Sequence, residues 1–177
     1  MKFIFLLLIT AILTVTAFGQ VGFVPAGYSR SVGSSFASEA VTPAAARALE
    51  RDAFQLINAE RARSGLTTLS WNDKIAGVAR LHSGNMARFN FFSHRGLDGR
   101  MVDERADELN MGPWRAIGEN IAFMKGFDDP VAMAVEKWLN SPGHRKNLLN
   151  PDWTETGVGL SVTQDGKYYF TQVFIRN

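Results

Sequence analysis

No cysteine occurs anywhere in the 177 residues. That absence removes disulfides, thiolate zinc sites, iron–sulfur clusters and cysteine nucleophiles together. Whatever this chain folds into, an apolar core has to hold it. Any metal it takes must be held by imidazole and carboxylate, and the histidines are only His82, His94 and His144.

The N-terminus adds a second constraint. Lys2 is followed by sixteen uncharged residues, Phe3 to Phe18. A membrane span needs about 20 apolar residues. One basic residue, an apolar run and Ala17-Phe18-Gly19 as a small-x-small site form the pattern of a secretory signal. Residues 1–19 therefore read as a signal peptide, with Gln20 opening a secreted, extracellular chain that has no transmembrane segment after cleavage. Export without cysteine suggests a bacterial source. Residues 20–41 are rich in Gly and Ser without a sustained period, and read as a flexible leader. Residues 42–177 remain as one domain, long enough to bury a core. Lys and Arg number 19 against 17 Asp and Glu, a net charge of +2 without clustering. That balance argues against a nucleic-acid partner and against a polybasic membrane-surface protein.

Local signals predict the elements. Thr42 caps and Pro43 opens a helix over Ala44–Ser64, stopped by Gly65. Asn72 caps a second, running to about Phe89, with Ile75, Ala79, His82, Met86 and Phe89 on one stripe. A short helix is expected over Arg100–Leu109, a strand over Trp114–Ala122, and a helix over Val131–Asn140 behind Asp129-Pro130. Gly157–Val162 and Tyr168–Ile175 alternate around Asp165-Gly166, a hairpin signal. Helices flanking a small, mostly antiparallel sheet follow from this order, an α+β fold.

Three polar segments break the apolar periods: Phe92–Gly96, Gly118–Asn120 and Asn140–Arg145. They read as loops, where function concentrates. Two readings stay open for His94 and His144: site imidazoles, or loop caps bonded to backbone carbonyls. Glu119-Asn120 is either part of a site or a turn-stabilising pair. His82, on an apolar stripe, reads as a packing residue or a support for a site residue. Trp114, Trp138 and Trp153 read as core aromatics. Ser141 and His144 lack the orienting acid and Gly-x-Ser-x-Gly elbow of a hydrolase nucleophile.

Taken in order, FFSHRGLDG (91–99), IGENIA (117–122), VEKWLNSPGHRKNLLN (135–150), TGVGLSV (156–162) and YYFTQVF (168–174) resemble the CAP superfamily. This is the family of cysteine-rich secretory, antigen 5 and pathogenesis-related 1 proteins, here in a bacterial, cysteine-free form. The resemblance covers Thr42 to Arg176. It implies a three-layer α-β-α sandwich with a cleft lined by two histidines and two acids. His94, Glu119 and His144 take three of those places, and Ser141 stands where the second acid belongs. Asn120 sits beside the cleft. The function implied is that of a secreted binding module for a divalent ion, a small apolar ligand or a cell-envelope component. With one acid missing, zinc held by His94 and His144 is expected to bind weakly, and no cofactor is required. The alternatives are a metal-assisted hydrolase using His94, His144 and Glu119, the candidate catalytic residue, and a surface interaction protein without cleft chemistry.

Overall fold

A computed structural model of the protein describes residues 41–177. The signal-peptide and leader assignments up to residue 40 lie outside the described residues. The first helix, α1 (Pro43–Arg63), begins where expected: the Thr42 hydroxyl accepts the Ala45 N–H at 3.2 Å and Pro43 supplies the first turn. A two-residue strand β1 (Ser70–Trp71) leads into α2 (Asp73–Phe89), whose cap is the Asn72 side chain accepting from the Lys74 and Ile75 amides. Then follow α3 (Val102–Glu108), β2 (Ala116–Lys125), α4 (Pro130–Asn140) capped by Asp129, and α5 (Pro142–Leu148). The chain closes in a hairpin of β3 (Glu155–Val162) and β4 (Lys167–Arg176), with Gly166 of the Asp165-Gly166 turn at φ +78°.

The sheet order is β1-β3-β4-β2, antiparallel except for the short parallel pairing of β1 with β3. Alternation along the strands sends their side chains to opposite faces. Ala122, Met124, Val158, Leu160 and Phe170 pack against α1, α4 and α5, where Trp138 and Leu148 are fully buried. Val173 and Ile175 pack on the other face with Ile75, Val78 and Ala79 of α2 and Ala106 of α3. The result is the three-layer α-β-α sandwich.

Two glycines set the distance between layers. A Cβ on Gly157 would lie 2.2 Å from the Ala76 nitrogen, and one on Gly159 2.2 Å from the Arg80 nitrogen. Strand β3 thus lies directly against the backbone of α2. On the opposite edge of β3, the buried Glu50 carboxylate of α1 accepts the Leu160 amide at 3.1 Å and pairs with Arg80 at 2.6 Å. One carboxylate closes a strand edge and ties the outer helical layers together.

Several expectations need correction. Strand β2 is displaced from the expected 114–122 to 116–125, leaving Trp114 outside it. At Gly118 the Trp153 ring occupies the space a side chain would fill, 2.9 Å from a Cβ there. Glu119-Asn120 is therefore no turn, because both residues lie within a strand. The third helix is shorter than 100–109, since the Arg100 amide is taken by Asp98 and the Met101 amide by Glu104. The segment read as a loop over 140–145 is the end of α4 and the start of α5, so His144 is helical. Helix α5 is held from outside: the buried Arg61 guanidinium of α1 donates to the Leu148 and Asn150 carbonyls, both at 2.9 Å.

Candidate functional site

Strand β2 is an edge strand, and unpaired edges need cover. Its outward carbonyls are taken by side chains rather than by another strand. Asn147 of α5 donates to the Glu119 carbonyl at 3.1 Å, and Trp138 of α4 donates its indole N–H to the Ile121 carbonyl at 3.0 Å. These contacts seat α5, and with it His144, against the middle of β2.

The adjacent residues Glu119 and Asn120 point to opposite faces of the sheet and hold the two histidines. Glu119 accepts the His94 Nδ1–H at 2.7 Å. Asn120, fully buried, donates to the His144 backbone carbonyl at 3.1 Å, while its own oxygen accepts from Asn147 at 3.1 Å. A loop histidine and a helical histidine, fifty positions apart in sequence, are thereby brought together with ring centroids 6.1 Å apart. They share a pocket of about 430 Å³ with Phe92, Ser93, Arg95, Met101 and Ile121. His94 caps no carbonyl with its ring; it is bonded to a carboxylate.

The second oxygen of Glu119 is also engaged. Arg105 of α3, buried, donates to it at 2.6 Å, and to the carbonyls of His94 at 3.1 Å and Arg100 at 2.9 Å. One guanidinium thus fixes both the carboxylate and the chain that carries His94. Sequence reading missed Arg105 and Asn147. Asn147 carried a signal, standing three residues after His144 and so on its face once the segment is helical; Arg105, among the acids of α3, carried none.

Ser141 stands at the junction of α4 and α5 and is not among the residues lining the pocket. His82 is fully buried in α2, where its Nε2–H donates to the Ser93 carbonyl at 2.8 Å, steadying the residue before His94. Its Nδ1 has no partner among the described residues. Burial, opposed in part by Glu119, holds the His82 pKa below the usual imidazole value of 6.5, and burial followed by the neighbouring His94 does the same for His144. A depressed histidine pKa stabilises the fold above the unfolded-state value and ceases to do so as pH falls through the folded-state value. Stability, read as the urea midpoint, is therefore expected to fall as pH drops below 6.5, and His82→Gln to flatten that decline. An unchanged slope in His82→Gln would contradict the assignment.

The donor set can be compared with a metal's requirements. With Nδ1–H of His94 committed to Glu119, the ring presents Nε2 as its lone pair, and the carboxylate behind it fixes the tautomer and the ring's orientation. The ring of His144 makes no hydrogen bond among the described residues. No group of three His, Cys, Asp or Glu positioned to hold a metal occurs among the described residues. The residues fit an open two-imidazole site, not a closed structural one.

The three-layer sandwich is the fold of a CAP domain. The chain belongs to the cysteine-rich secretory protein family, whose model matches residues 54–174. It is 42% identical over 127 residues to the uncharacterized membrane protein YlbC of Bacillus subtilis (strain 168), covering 72% of this chain and 34% of that one. It is 35% identical over 133 residues to the uncharacterized protein YkwD of the same organism, covering 75% and 49%. Among solved structures, an extracellular protein containing an SCP domain from Bacillus anthracis str. Ames matches with a TM-score of 0.67 at 38% identity, over 79% of this chain and 45% of that one. The chain thus spans between a third and a half of these relatives. No helix among the described residues is long and apolar enough to cross a membrane.

Proposed function

We infer that the protein is an exported binding module whose ligand sits between His94 and His144. The observation that carries this is the convergence of two imidazoles on one pocket, with the His94 ring bonded to Glu119 and the His144 backbone carbonyl bonded to Asn120, the next residue of β2. The pocket offers polar recognition at the two rings and apolar contact at Phe92, Met101 and Ile121. That combination suits a divalent ion with water in its remaining positions, or a small, largely apolar ligand or envelope component with one polar end. Bound zinc would supply Lewis acidity to whatever oxygen occupies its open positions. The N-terminal signal pattern supports export, as does the similarity to a relative described as extracellular.

Hydrolysis is the weaker reading because Glu119 has both oxygens committed, one to His94 and one to Arg105. Each oxygen keeps a second lone pair, but a general base must also reach the proton it removes, and Glu119 is not among the residues lining the pocket. No carboxylate among the described residues lines the pocket.

Calorimetric titration with zinc tests the binding reading. Saturable binding at one site is expected, lost in His94→Ala/His144→Ala and weakened about tenfold in Glu119→Gln, which keeps the shape but loses the charge behind His94. Equal heats from wild type and the double variant would remove the metal reading.

A further inference from the structure

Large apolar side chains crowd one region of the surface. Phe89 at the end of α2 is 52% exposed, and Phe92 and Leu97 in the following segment are 50% and 69% exposed. On strand β2, Phe123 is 41% exposed. Phe123 shares its face with Glu119 and Ile121, the face α2 covers. The helix stops at Phe89, and beyond it rings lie over the far end of β2: the Phe92 centroid is 6.0 Å from that of Phe123, which is 5.3 Å from that of Tyr169. Exposed apolar side chains scattered singly need no explanation, but here Phe92 meets Phe123, and Phe89 and Leu97 line one hollow with Phe91, the residue before Phe92.

The charges beside the rings select the occupant. The Arg88 guanidinium lies over the Phe89 ring at 5.2 Å, and Arg95 stands two residues before Leu97, its guanidinium donating to the Gly99 carbonyl. Neither has a carboxylate partner among the described residues. The acids nearby in sequence and space are Asp98, paired with Arg100, and Asp165, shared by Lys125 and Lys167; Asp128 has no cation paired with it among the described residues. Protruding phenylalanine and leucine beside unpaired arginines match the boundary of an anionic bilayer, where apolar rings enter the acyl region and guanidinium groups meet phosphate.

We propose that Phe89, Phe92, Leu97 and Phe123, with Arg88 and Arg95, dock the domain on an anionic lipid surface. The whole-chain charge argues against a polybasic contact. This one is built the other way, from apolar insertion with two arginines at its margin. It places the mouth of the histidine pocket, which Phe92 and Arg95 also line, beside the membrane.

The absence of cysteine makes the test direct, because one introduced thiol can be labelled alone. The full chain carrying L97C and an environment-sensitive fluorophore is mixed with vesicles of equal parts phosphatidylglycerol and phosphatidylcholine. A several-fold rise in emission with a blue shift is expected, and none from the same label at K146C on α5. Adding R88E and R95E to L97C, or using phosphatidylcholine alone, is expected to weaken the response about tenfold. Adding F92S and F123S is expected to do the same, with the thermal midpoint measured to confirm folding. No response at L97C, or an equal response at K146C through the N-terminal apolar run, would overturn the proposal. A response that grows with protein concentration before any lipid is added would overturn it in favour of a second copy of the chain.

Discussion

Gly159→Ala is expected to destabilise the domain by about 3 kcal/mol, at the upper end of what overpacking costs. The added methyl would stand 2.2 Å from the Arg80 nitrogen and 2.3 Å from the Ala79 carbonyl carbon, both backbone atoms of α2. A side chain can rotate away from a clash; a helix backbone cannot. The helix would have to lift off β3, disturbing the apolar contacts of Ile75, Val78 and Ala79 and the hydrogen bond from Ser83 to the Gly159 carbonyl. Gly77 supplies the contrast, since a Cβ there meets nothing within 4 Å. Within helix α2, Gly77→Ala is expected to stabilise by about 0.5–1 kcal/mol through propensity alone. Urea denaturation of the two variants beside wild type reads both effects. A Gly159→Ala protein as stable as wild type would show that β3 and α2 do not lie in direct backbone contact.

Arg105→Met is the second large effect. Truncating one partner of a buried ion pair leaves the other charge unpaired, at a cost of about 3–5 kcal/mol. Arg105 and Glu119 are each 3% exposed in their side chains, so little water reaches the carboxylate left behind. The loss extends to the backbone, because the same guanidinium holds the carbonyls of His94 and Arg100. The double variant Arg105→Met/Glu119→Gln separates these contributions. Removing the stranded charge is expected to recover more than half of the lost stability without restoring the order of the His94 segment. A double variant as unstable as Arg105→Met would place the cost in the backbone contacts alone.

What the sequence made legible was local. Thr42-Pro43, Asn72 and Asp129-Pro130 mark helix starts because each cap acts within three residues. The Asp165-Gly166 hairpin was readable for the same reason. Helix α5 was not, because seven residues opening with Pro-Gly have little helical tendency of their own. Arg61, eighty-seven positions away from Leu148, and the bond from Asn147 to the Glu119 carbonyl of β2 supply what the segment lacks. The meeting of His94 and His144 was likewise invisible to spacing; the order of motifs shared with a known family implied it, and Glu119 and Asn120 are its physical cause. Arg105 escaped because a lone arginine in an acidic helix looks like surface. Only the fold reveals that it is buried beside the carboxylate it serves.

Whether the two histidines act as one site is measured by a zinc titration arranged as a double-variant cycle. His94→Ala and His144→Ala are each expected to abolish saturable binding, and combining them to take away nothing more, because two ligands of one ion are not independent. Losses that add across the two substitutions, or binding that survives either one, would mean that the rings belong to separate sites and that the clip formed by Glu119 and Asn120 serves packing alone.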